Sequence, residues 1–188
     1  MEEFIDIISK DGTPTGKKAL KHVVHQKGYY HNTAHVWFYQ NSGHVILAQR
    51  SATKLIYPLL WDVSVAGHVD AGESIECAAI REINEELGIS ISVDSLCKIR
   101  VAESFQNYSN NLIDNEFHHT FISELKSDIT QFKLDKNEVQ AVKAISFKVF
   151  QQLIDTIGSS NHFVSKNKSY YQFVLDQIQD KSKHDLTS

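Results

Sequence analysis

The chain has 188 residues, of which 41% are hydrophobic and 22% charged, and its formal net charge at neutral pH is -4. That length supports one good core and falls short of two full domains, two cysteines are too few for a disulfide framework, and the acidic balance offers nucleic-acid backbones no general attraction, although ten histidines can shift it in acid. No apolar stretch reaches the length of a membrane span and Met1-Glu2-Glu3-Phe4 lacks the basic and apolar regions of a secretory signal, so a cytoplasmic, reducing setting is expected, with Cys77 and Cys97 as small buried or half-buried side chains.

Taken along the chain, residues 4–8 are the first predicted strand, rich in β-branched and aromatic types, and Pro14 falls in a loop. Strands follow at 34–39 and 45–49, joined by a hairpin at Asn41-Ser42-Gly43, and Pro58 sits in a second loop. Residues 74–87 are mostly good helix formers. Ile75, Ala78, Ala79, Ile83 and Leu87 recur there at roughly helical intervals, with Ser74 as N-cap and Gly88 as left-handed stop. Strands are predicted again at 99–104, 117–123 and 139–147, then helices at 148–157 and 168–181, the second leading into a polar tail over 181–188. There is no internal repeat, low-complexity tract or Pro/Gly-rich linker. The expectation is one α/β domain over 1–188, with a core of about 30–155, an N-terminal strand and loop extension and a C-terminal helix.

The densest pattern lies across one loop and one helix, from Gly67-His68-Val69-Asp70-Ala71-Gly72-Glu73 to Arg81-Glu82-Ile83-Asn84-Glu85-Glu86-Leu87-Gly88-Ile89. Glu82, Glu85 and Glu86 are three and four residues apart, so their carboxylates stack on one side of the helix. Such neighbours repel by a few tenths of a kcal/mol per pair, and a hard divalent cation offsets that repulsion. Oxygen ligands, including the Gly67 carbonyl, suit Mg²⁺ or Mn²⁺, and Arg81 can orient a carboxylate through a fork of hydrogen bonds. The bland alternative for a lone Glu-x-x-Glu-Glu is a solvated acidic face. Here two glycines, Glu73 and Arg81 stand in register with the acids.

This pattern is the Nudix box, complete, and the chain resembles the Nudix hydrolase superfamily. The resemblance implies an α/β/α sandwich with a mixed β-sheet, in which the box forms loop, helix and loop. It also implies that Glu82 and Glu86 are the firmest metal ligands, Glu85 a ligand or base, and Glu73 a support. Which glutamate takes the proton from water varies across the superfamily and stays open at this point.

A second likeness surrounds the box. Leu47-Ala48-Gln49-Arg50-Ser51-Ala52-Thr53-Lys54, Pro58 and Trp61 through Gly67-His68 resemble the isopentenyl-diphosphate isomerase branch of the superfamily. So do His25-Gln26-Lys27-Gly28 with His31, His35-Val36-Trp37, and Asp114-Asn115-Glu116. The likeness implies a second metal position built from His25, His31, His68, Glu116 and Asp114, the last replacing a glutamate. Imidazoles with carboxylates favour Mn²⁺, Zn²⁺ or Fe. Taken singly, His25 and His31 read equally as loop histidines and Asp114-Asn115 as a turn. Arg50 and Lys54 are expected to face the diphosphate, or else to be ordinary cations of a strand edge. Tyr29, Tyr30, Trp37, Phe105 and Tyr108 can stack on a flat group, although aromatics more often serve the core.

The branch's isomerases place a proton-exchanging cysteine just before the Gly-His, and this chain has Ala66 there. An alanine methyl carries no exchangeable proton, whereas the box keeps all the groups needed to hold metal and activate water. The expected activity is therefore metal-dependent hydrolysis of a diphosphate linkage in a nucleoside diphosphate derivative or similar organic diphosphate, using Mg²⁺ or Mn²⁺. Isopentenyl-diphosphate isomerisation is the runner-up, since Glu116 is retained, and a non-catalytic ligand-sensing module comes third. The expected partner is a small molecule, with neither membrane nor stable nucleic-acid binding; a homodimer is left open.

Overall fold

The apolar, β-branched runs of the sequence become the strands of one nine-stranded sheet in a computed structural model that describes residues 2–108, 112–159, 162–164 and 167–185. The strands are β1 (Phe4–Ile8), β2 (Pro14–Leu20), β3 (Tyr30–Gln40), β4 (His44–Arg50), β5 (Trp61–Asp62), β6 (Val65–His68), β7 (Cys97–Asn107), β8 (Ile113–Glu124) and β9 (Val139–Ser146). The helices are α1 (Lys21–Lys27), α2 (Ile75–Leu87), α3 (Phe147–Asp155) and α4 (Lys168–Asp185). β3 organises the sheet, pairing antiparallel with β1, β4 and β6 and parallel with β8. The order β2-β1-β3-β4-β5 is extended by β7 on β8 and by β9 on β4.

Alternation along β3 splits its side chains between two cores. Ala34, Val36 and Phe38 meet Ala78, Ala79, Ile83 and Leu87 of α2 on one face. Trp37 and Tyr39 turn to the other, where Phe150 and Ile154 of α3 and Tyr171, Val174 and Ile178 of α4 cover them. The sheet is thus sandwiched between helices, the expected α/β/α arrangement with a mixed sheet. No helix among the described residues is long and apolar enough to cross a membrane.

α2 begins and ends as its sequence dictates. The Ser74 hydroxyl accepts the Cys77 N–H, and Gly88, at φ 66°, closes the helix by donating its N–H to the Asn84 carbonyl. Gly88 is also a contact point. A Cβ there would lie 2.7 Å from the Lys133 Cβ and 2.9 Å from the Lys133 carbonyl oxygen. Gly88→Ala is therefore expected to destabilise the fold by about 1–3 kcal/mol, combining left-handed strain with overpacking. A thermal melt reads this, and an unchanged midpoint would contradict so close an approach.

Several elements depart from the sequence expectation. Pro14 opens β2 instead of lying in a loop, and the strand's polar, exposed residues are held by pairing with β1 rather than by burial. α1 is seven residues long and lacks a side-chain N-cap, while β5 and β6 span two and four residues, too few to show a period. Cys77 and Cys97 are both exposed. Cys77 falls between the buried positions of α2, and Cys97 opens the strand at the sheet margin. α4 runs on to Asp185, and residues 186–188 of the expected tail lie outside the described residues.

Candidate functional site

Both sets of candidate ligands open onto one cleft of about 980 Å³. β6 brings Gly67 and His68 to its floor, and α2 lays Arg81, Glu82, Glu85 and Glu86 along one wall. The loop between them is braced by the N-terminal strand: the Ala71 N–H donates to the Phe4 carbonyl at 2.8 Å and the Gly72 N–H to Asp6 Oδ2 at 2.8 Å.

Arg81 ties the box together. Its Nη2 donates to Glu73 Oε2 and to the His68 carbonyl, both at 2.9 Å, and its Nη1 to Glu82 Oε1 at 2.7 Å and Glu85 Oε2 at 3.1 Å. Burial works to lower the pKa of this guanidinium, but the hydrogen bonds it donates to Glu73 and Glu82 outweigh it and hold it above its ordinary value. Gly67 supplies room. A Cβ at that position would stand 1.9 Å from Glu82 Cδ and 2.2 Å from its Oε1, so only glycine lets the carboxylate rest against the strand.

Negative charge is in excess along this wall. Glu86 is only 6% exposed, and burial, followed by the neighbouring Glu82 and Glu138 carboxylates, pushes its pKa well above the carboxylate range. Burial likewise raises Glu82, against the pull of Arg81. The nearby Lys54 is already paired with Glu138. Buried carboxylates facing so little positive charge fit a divalent cation, whose preferred ligands are oxygens.

The second cluster forms where α1, β3, β6 and β8 converge. His31 pairs in register with Glu116 across the parallel strands, and Thr33 pairs with His68. One ligand atom each from His25, His31, His68 and Glu116 lies within 4.8 Å of all the others, a geometry that can hold a metal ion. The outer nitrogens are already committed: His25 Nδ1 bonds the Lys21 carbonyl at 2.7 Å and His31 Nδ1 the Tyr29 carbonyl at 2.9 Å. These bonds turn Nε2 of each ring inward, where His25 Nε2 lies 3.2 Å from His68 Nε2. His31 Nε2 is buried without a hydrogen-bond partner. Imidazoles with a carboxylate form a donor set that fits Mn²⁺, Zn²⁺ or Fe.

Asp114 stands at the margin of this group. Its Oδ1 lies 3.4 Å from His25 Nε2 and is otherwise unpaired, while burial and then the Glu116 charge push its pKa up to about 6. Burial pulls Glu116 upward as well, yet His118, whose Nε2 lies 2.7 Å from Glu116 Oε2, and His31, whose Nε2 stands 3.5 Å from Oε1, hold it well below the carboxylate range. The alternatives of loop histidines and a turn do not describe these residues, since His25 lies in a helix and His31, Asp114 and Asn115 lie in strands.

Arg50 and Lys54 both line the cleft, and Arg50 Nε donates to the Ile56 carbonyl at 3.1 Å. Of the aromatics, Trp37 is buried core, whereas Phe105 and Tyr108 border the cleft. Sequence reasoning left His35, Asp62, His118, Glu138 and Tyr170 without a role, yet all five line it as well. The available signal was a polar stripe at every second residue, His31-Thr33-His35 on β3 and Glu116-His118-Thr120 on β8, inside otherwise apolar strands.

Comparison with known proteins identifies the family and the fold. The NUDIX domain family matches residues 29–164. An uncharacterized Nudix hydrolase from Clostridium acetobutylicum is 31% identical, with 95% of this chain and 98% of that protein covered. An isopentenyl-diphosphate Delta-isomerase from Photorhabdus laumondii is also 31% identical, over 82% of this chain and 84% of its own length. A Deinococcus radiodurans crystal structure superposes with a TM-score of 0.67 at 20% identity, covering 90% of this chain and 98% of that one, which speaks to the fold alone.

Proposed function

The chain belongs to the NUDIX domain family and is a pyrophosphohydrolase, and from that premise we propose that it cleaves the diphosphate linkage of an organic diphosphate, foremost a nucleoside diphosphate derivative, with Mg²⁺ or Mn²⁺. The observation that carries the reading is the convergence of the intact box acids on one wall of the cleft that Arg50 and Lys54 also enter. Glu82 and Glu86, both shielded from solvent, hold the ion together with the Gly67 carbonyl, and Glu73 supports them through Arg81. Glu85 has 58% of its side chain exposed and is held, among the described residues, by Arg81 alone, so it is the carboxylate best placed to take a proton at the cleft surface. A divalent ion in such a site neutralises charge on the diphosphate and makes water a better nucleophile. Arg50 and Lys54 add a fork and a point charge for the phosphate oxygens. Water attacks phosphorus, the bridging P–O bond breaks, and two phosphorylated products leave.

Supporting evidence for a second reading comes from the histidine and Glu116 cluster together with the isomerase relative. Against it stands Ala66, cross-strand from His35, where proton exchange with an isopentenyl group would call for a thiol. One experiment separates the two. The protein is incubated in heavy water with Mg²⁺ or Mn²⁺ and either a panel of nucleoside diphosphate derivatives or isopentenyl diphosphate. Phosphorylated products are expected from the first set, release should stop on addition of a chelator, and no deuterium should enter the second. Deuterium incorporation without phosphate release would replace hydrolysis with isomerisation.

A further inference from the structure

Beyond the two acidic groups the cleft continues along the same face of β3 and β8 toward α4. His35 pairs in register with Ala66 on one side and Thr120 on the other, and its ring stacks on that of His118 with centroids 4.0 Å apart. The Tyr170 hydroxyl of α4 lies 3.5 Å from His35 Nδ1 and is itself fixed by the Trp37 indole N–H at 3.0 Å. Asp62 on β5 accepts the Val63 N–H with Oδ1 at 2.9 Å, while its Oδ2 has no hydrogen-bond partner among the described residues. Arg50, His118 and Glu116 are the charged or titratable groups that face it most strongly from neighbouring elements, and Tyr170 feels its charge in turn. His35, Asp62, Ala66, His118 and Tyr170 all border the open space of the cleft.

We infer that this end of the cleft is a recognition subsite for a hydroxyl-bearing organic group, such as the sugar of a nucleoside diphosphate derivative, with Asp62 and His35 as its specificity-determining residues. The inference rests on the diphosphate reading above and deepens it by naming what lies beyond the phosphates. Asp62 Oδ2 accepts from a ligand hydroxyl, and the edge of His35 left free by Tyr170 donates to or accepts from another. Arg50, two residues along β4 from Asp62's cross-strand partner Ala48, lines the same cleft, so a group held by Asp62 would sit next to a diphosphate held by Arg50. A hydrocarbon chain in the same space would strip water from a carboxylate and two imidazoles and return no hydrogen bond, so the walls select against it.

Three non-hydrolysable probes that share a methylene-bridged diphosphate test this by isothermal titration with Mg²⁺ present: methylenediphosphonate, its isopentenyl ester and adenosine 5′-(α,β-methylene)diphosphate. The adenosine probe is expected to bind about 10- to 100-fold more tightly than methylenediphosphonate, the range for hydrogen bonds to charged groups, and the isopentenyl probe no more tightly. Asp62→Asn, which keeps an acceptor for the Val63 N–H, should remove most of the adenosine probe's advantage and leave methylenediphosphonate unchanged. Tighter binding of the isopentenyl probe, equal weakening of all three by Asp62→Asn, or no binding of any would overturn the subsite. The wild-type ranking stands without the variant. Should methylenediphosphonate bind while no organic diphosphate is hydrolysed, the proposed activity falls and the three affinities still judge the subsite.

Discussion

Glu86→Gln is expected to reduce release of phosphorylated products by at least about 100-fold, while far-UV circular dichroism stays that of the parent protein. Metal ions contribute several kcal/mol to stabilising charge in such a transition state, and each 1.36 kcal/mol is about tenfold in rate. The amide keeps the shape of a side chain that is 6% exposed and cannot ionise beside Glu82 and Glu138. Metal-free thermal stability should therefore hold or rise, because a carboxyl whose ionised form burial already disfavours is replaced by a neutral group. The stabilisation conferred by Mg²⁺ or Mn²⁺ on the parent should shrink in the variant. Unchanged release would remove Glu86 from the site.

Gly67→Ala should be nearly as damaging to activity, by a different route. The added methyl would meet Glu82 at 1.9 Å from Cδ, 2.2 Å from Oε1 and 2.4 Å from Cγ, so the glutamate must swing away or β6 must retreat. Overpacking of this kind costs about 1–3 kcal/mol, and displacing a catalytic group by about 1 Å can cost roughly 100-fold in rate. Glu82 also receives the 2.7 Å bond from Arg81, so its movement loosens the guanidinium that holds Glu73 and Glu85. A double substitution isolates the cause. Adding Glu82→Ala to Gly67→Ala should recover stability but not activity, whereas Glu82→Ala alone should not stabilise the parent. A Gly67→Ala protein with parental melting temperature and turnover would show that the glutamate does not need the space.

What could be read from the sequence was what short-range chemistry decides. The box helix α2 was placed to within a residue because its cap, its apolar spacing and its terminal glycine all lie inside the segment. The long strands were legible by composition, though they run further than expected: β3 starts at Tyr30 and β8 at Ile113. Those extra residues are mostly polar and gain their extended form from pairing, Tyr30 with Asn115 and His31 with Glu116 between the two strands, and Ile113 and Asp114 with β7. α1 and β2 were missed because nothing local specifies them; α1 lacks a side-chain cap and β2 lacks an alternating face. Arg81 was expected to fork onto one carboxylate, but it donates hydrogen bonds to three, Glu73, Glu82 and Glu85, and to the His68 carbonyl. Asp62 carried no pattern of its own, since a lone acid on a two-residue strand becomes informative only once its neighbours in space are known.

β3 and β8 lie side by side in parallel along ten residue pairs, Tyr30↔Asn115 to Tyr39↔Glu124, with the whole of the box between them in the chain. A growing polypeptide that has left the ribosome only as far as α2 already carries Glu73, Arg81, Glu82, Glu85 and Glu86, yet has no Glu116, no His118 and no far wall for the cleft. Pairing over such a span is also entropically late. The wall that Asp114, Glu116 and His118 contribute to the cleft is therefore completed only when β8 docks beside β3.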